Sequence, residues 1–75
     1  MTERFERDFE KLLDNCEKFG RPILTDYFVN QLRAMLRQFS RKEIEAALDI
    51  ARAKGSCQNW AKYIWGILWR RSRHD

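Results

Sequence analysis

The chain has 75 residues, of which 15 are basic and 11 acidic, for a net charge of +4, and 44% are hydrophobic. A chain this short forms one domain with a modest core and excludes a large catalytic cleft. Its two cysteines, Cys16 and Cys57, lie far apart with no His or Cys at metal-ligand spacing, so neither a disulfide framework nor a zinc site is expected, and the thiols point to a reducing compartment.

No apolar run reaches the length of a membrane span, and the opening MTERFERDFE is charged where a signal peptide is apolar. These features predict a cytoplasmic protein without membrane contact. Charge is uneven along the chain. Residues 1–19 carry four basic and six acidic side chains, residues 20–51 five and four, and residues 52–75 six basic against Asp75 alone. A cationic final third is a footprint of binding to something anionic, most often nucleic acid, although basic tails also serve solubility.

The first helix is predicted over 2–18. Thr2 is its expected N-cap, and Phe5, Phe9, Leu12, Leu13, Cys16 and Phe19 fall on one helical face. Glu3, Glu6, Glu10 and Asp14, interleaved with Arg7 and Lys11, read as a solvated, salt-bridged side. Gly20 fits the left-handed position after a helix end, and Pro22 blocks resumption.

The second helix is predicted over 26–38, capped by Thr25, with Phe28, Val29, Leu32, Met35, Leu36 and Phe39 inward and Arg33 and Arg37 outward. Ser40-Arg41-Lys42-Glu43 reads as a capping box, in which the serine oxygen takes the Glu43 amide and the glutamate returns to the serine amide. It opens a third helix, 41–54, whose stripe of Ile44, Ala47, Leu48 and Ala51 suits close packing, with Gly55 beyond its end.

The fourth helix is predicted over 60–71, capped by Ser56 or Asn59. Trp60, Tyr63, Ile64, Ile67 and Leu68 make a wide core face, which leaves Trp65 and Trp69 stacked along another line, with Trp69 pointing away from the core. Gly66 in mid-helix suggests that a backbone or a bulky ring needs the room. The expected fold is therefore all-α: one domain over residues 1–75, a bundle of four helices with or without an extra short helical turn, and no sheet.

The order FGRPI, an amphipathic helix, AALDIARAKG and then NWAKYIWGIL resembles the C-terminal domain of DnaD-type primosome proteins, shared with DnaB-like helicase co-loaders and phage replisome organisers. The likeness spans roughly residues 5–71. Its motif lies on the last helix at Tyr63, Ile64, Ile67 and Leu68, although position 71, where the family tends to place a tryptophan, is Arg71. The resemblance implies DNA binding in replication initiation through the last helix and the basic segment behind it. It also implies self-association as a homo-oligomer on DNA and a helicase loader or other replication protein as partner. Family members usually add a separate winged-helix domain.

The residues alone support two readings. In the first, Lys54, Lys62, Arg70, Arg71 and Arg73, with Arg52 nearby, follow phosphates while the indoles of Trp65 and Trp69 stack on bases. Binding is then tolerant of sequence, to single or double strands. In the second, Trp65 and Trp69 form a protein interface, in a homodimer or an adaptor, and the basic tail gives solubility or steering. Burial of both rings beneath the first helix is the third possible fate of the pair. Cys16 reads as a small buried hydrophobe, Cys57 as a loop thiol and His74 as a solvated tail residue. No nucleophile with its base, glycine-rich phosphate loop or acid pair stands out, so neither enzyme activity nor a cofactor or metal is expected.

Overall fold

The structure, a computed structural model, describes residues 2–20 and 23–72. Four helices follow one another: α1 (Thr2–Glu17), α2 (Asp26–Gln38), α3 (Arg41–Arg52) and α4 (Trp60–Ser72), with no strand among the described residues. The all-α bundle expected from the spacing is the observed fold.

Polar side chains set most of the boundaries. Thr25 Oγ1 accepts the Phe28 amide at 3.1 Å, Ser40 Oγ accepts the Glu43 amide at 3.3 Å, and Asn59 Oδ1 accepts the Lys62 amide at 3.0 Å. Each takes a donor that the first turn of a helix leaves without a partner. Asn59, not Ser56, therefore starts α4. The Ser40 box closes differently from its expected form: the Glu43 carboxylate accepts the Ser40 hydroxyl at 3.2 Å rather than the backbone amide. Gly20 (φ 72°) and Gly55 (φ 95°) occupy the left-handed region that lets the chain leave a helix without a Cβ clash.

Two expectations at the ends need correction. Thr2 lies inside α1 rather than capping it; Met1 is outside the described residues. Likewise α3 stops at Arg52, two residues early, because the Ala53 and Lys54 amides turn back to Ile50 and Ala51 in a tight final turn. The Arg21 and Pro22 part of the first turn also lies outside the described residues.

The core draws on all four helices. Phe9, Leu12 and Cys16 come from α1, Phe28, Leu32 and Met35 from α2, Ile44, Ala47, Leu48 and Ala51 from α3, and Ala61, Ile64 and Leu68 from α4, closed by Phe19 and Ile23 from the first connection. The α3 stripe is buried in full, and its two alanines allow the close approach of neighbouring helices. In α1 and α4 alike the packing is against both α2 and α3, whereas α1 and α4 make no close backbone contact with each other. The molecule measures 35 × 31 × 18 Å, so it is about two helices thick.

Arg33 departs from its expected place on the outer side of α2. Its guanidinium lies 4.3 Å from the centre of the Phe9 ring and donates to Glu6 at 3.1 Å, tying α2 to α1. Arg41 similarly reaches Asp8 at 3.1 Å and Glu45 at 2.9 Å. Such partly exposed pairs contribute under about 1 kcal/mol each. Their consequence is mainly in charge: the cations of α2 and α3 partly neutralise α1.

Candidate nucleic-acid interface

The rotation of α4 decides which of its residues face water. Its buried line is Ala61, Ile64 and Leu68, and Trp60 and Trp65 flank that line by about 70° on either side. This corrects the expected core face: Ala61 belongs to the core, while Trp60, Tyr63 and Ile67 are only partly buried. The cause is α2. The Trp65 indole N–H donates to Gln31 Oε1 at 2.8 Å, and its ring packs edge-on to Phe39 at 6.2 Å, which draws the Trp65 side of α4 inward.

Trp69 stacks on Trp65 with ring centres 6.1 Å apart and planes 16° apart, and meets Phe39 edge-on at 5.3 Å. It remains 49% exposed. Neither tryptophan lies beneath α1, and the two do not form a free pair either. Trp65 is a half-buried strut with its polar handle satisfied, while Trp69 offers surface to a ligand.

Around the free side of α4 the order is Trp69, Lys62, Gly66, Arg70, Tyr63 and Ile67, at about 100° per residue. The part facing α3 is hollowed into a groove of about 1020 Å³. Ile50, Tyr63, Gly66 and Ile67 supply its apolar lining, and Lys54, Lys62, Arg70 and Arg71 its cations. No carboxylate lines it, and none of the four cations pairs with a carboxylate among the described residues. Lys54 holds its ammonium 5.0 Å from the centre of the Tyr63 ring, a cation–π contact that keeps both side chains at the groove wall. Four of the five cations that the sequence singled out thus converge on one feature. The fifth, Arg73, lies outside the described residues, and Arg52 pairs with Asp49 at 2.7 Å instead of lining the groove.

Trp65 and Trp69 do not line this groove. They occupy the α2 side of α4, beyond the edge of the groove that Lys62 and Gly66 form, so the tryptophans and most of the cations are separate, adjoining features. The motif residues also divide. Ile64 and Leu68 hold α4 to the core, while Tyr63 and Ile67 face the groove.

Gly66 has a different setting from the one expected. A Cβ built there meets nothing within 4 Å, so no ring or backbone of the described chain requires the glycine. Relative to alanine it costs the helix about 1 kcal/mol. The α4 helix nevertheless runs unbroken through it. Ile50 was not foreseen as part of the site. It is 43% exposed, and the signal was available: it is the large apolar residue of α3 that falls off the stripe of Ile44, Ala47, Leu48 and Ala51.

No protein-family model matches this chain, and no curated protein or solved structure matches it. The chemistry of the groove therefore stands on its own residues. Arginine and lysine around an apolar floor bind anions with apolar faces. Among the described residues there is no group of His, Cys, Asp and Glu fit to hold a metal ion, and no helix long and apolar enough to cross a membrane.

Proposed function

We propose that this chain is a DNA-binding accessory module of replication initiation, a DnaD-like primosome component that contacts DNA through the groove between α3 and α4. The observation that carries the reading is the convergence of Lys54, Lys62, Arg70 and Arg71 on one concavity without an acidic neighbour. Unpaired cations this close repel one another, and a polyanion relieves that repulsion while releasing its condensed counterions. Arg70 and Arg71 suit two-point contact with phosphate oxygens. Contacts of these cations with phosphates carry no base information, so binding through them is tolerant of sequence. The likeness of the last helix to the DnaD type supports a place in replication, with a helicase loader or another replication protein as partner and self-association on DNA.

The test is fluorescence anisotropy with unrelated DNA sequences over a range of salt concentrations. Four phosphate contacts predict a slope of log K against log salt of roughly −3 to −4. Arg70→Glu with Arg71→Glu should weaken binding at least tenfold and flatten the slope by about two contacts' worth. Affinity that ignores salt, or that survives this charge reversal, defeats the reading.

One observation favours a second reading. The exposed Trp69 ring, stacked on Trp65 beside Phe39, is an apolar patch of the kind that meets proteins, and a helical adaptor would use it. Under that reading Trp69→Ala changes the mass in solution or abolishes capture of a partner, and leaves DNA affinity as it was.

A further inference from the structure

We infer that Gly66 is where the backbone of a bound nucleic-acid strand rests on α4, its missing side chain keeping the groove floor low enough for the phosphates to pass between Lys62 and Arg70. The inference rests on the nucleic-acid reading above and adds to it a residue without charge. Three observations converge on it.

A glycine inside a helix weakens that helix, and it usually persists where a neighbour needs the space. Here the described chain leaves that space empty, so no intramolecular packing accounts for the glycine. Gly66 also lies on the groove rather than on an arbitrary stretch of surface, and it shares that groove with four cations and no acid. Finally, Lys62, Gly66 and Arg70 follow one another at i, i+4 and i+8, one line along the helix with steps of about 6 Å. A chain of phosphates held by the two outer members must cross the middle one, and every residue except glycine would raise a side chain in its path.

The outer cations choose the occupant. An acidic peptide also offers negative charge, but its carboxylates sit on side chains that bend around a methyl group. A phosphodiester carries its charge in the backbone itself and must approach as a chain. Close approach of backbone to ligand is a recognised use of glycine.

The test measures stability and affinity on the same variants, because the inference predicts opposite signs. Gly66→Ala should raise the thermal midpoint by about 4 °C or more, as expected from its better helix propensity in a domain of this size. It should also weaken binding of a labelled oligo-dT strand about tenfold. Gly66→Leu should bind more weakly still while melting no lower than wild type, since open space receives the side chain. If both variants bind the strand like wild type while the Arg70/Arg71 charge reversal abolishes binding, the role of Gly66 is overturned and the DNA reading survives. If wild type binds no strand at all, the reading and the inference fall together. If a polyglutamate peptide binds wild type more tightly than oligo-dT does, and Gly66→Leu blocks it, the groove belongs to an acidic protein partner and the inference is overturned.

Discussion

Cys16 has no exposed surface, and burial among the α1 core residues pushes its thiol up to about 12, whereas Cys57 is partly exposed in the connection between α3 and α4. The thiolate is the reactive form, so the two cysteines differ in chemistry. A chromogenic disulfide reagent at neutral pH should titrate Cys57 promptly in the native protein and Cys16 only after denaturant is added. Prompt reaction of both would show that the core around α1 opens readily. The same shift sets an alkaline limit. Between about pH 9 and about pH 12 the unfolded thiol loses its proton and the buried one keeps it, so the folded state holds more protons and stability falls as pH rises. The buried thiol was legible from spacing, because Cys16 stands four residues after Leu12 on an apolar face. The hydrogen bond from Trp65 to Gln31 was not. It joins residues 34 apart in sequence, and nothing local to a glutamine announces that an indole will reach it.

At the scale of elements, starts were more legible than rotations. A helix start is written in one or two side chains, and Thr25, Ser40 and Asn59 each place an oxygen on the amide three residues on. The facing of α4 is not written locally. Eight of its first ten residues are aromatic or large apolar or alanine, which gives more apolar surface than one stripe can bury. Which part goes inward depends on Phe39 and Gln31 across the interface. The spacing therefore found the right residues and set the core line about 60° from where it lies. Lys62 and Arg70 survived that error because they occupy the polar side of α4 under either rotation. Asn59 joins the two questions, since it fixes where α4 begins and also lines the groove. Asn59→Ala should destabilise the domain by about 1 kcal/mol, lowering the thermal midpoint by roughly 4 to 8 °C. A change under about 1 °C would mean that tertiary packing, not the cap, sets the start of α4.

For the whole molecule, charge separation follows from topology. Because α1 and α4 each pack on α2 and α3 but not on each other, the acidic α1 and the basic α4 occupy different parts of a thin domain. Glu6 and Asp8 are engaged by Arg33 and Arg41, while Glu3, Glu10 and Glu17 are exposed without an ion-pair partner among the described residues. A polyanion approaching at random is drawn to the groove, and the exposed carboxylates of α1 weaken that attraction, so the field both orients and partly opposes the encounter. Neutralising Glu3, Glu10 and Glu17 together as glutamines removes most of the opposing part, Asp14 remaining, and leaves the groove residues in place. The association rate for DNA should then rise by about two- to fivefold at low salt, with an unchanged dissociation rate, and converge on wild type near 1 M salt, where the Debye length is about 3 Å. Stopped-flow anisotropy separates the two rates. A slower dissociation rate in the triple variant would place α1 against the bound DNA itself, and an acceleration that persisted at high salt would rule out a long-range field as its cause.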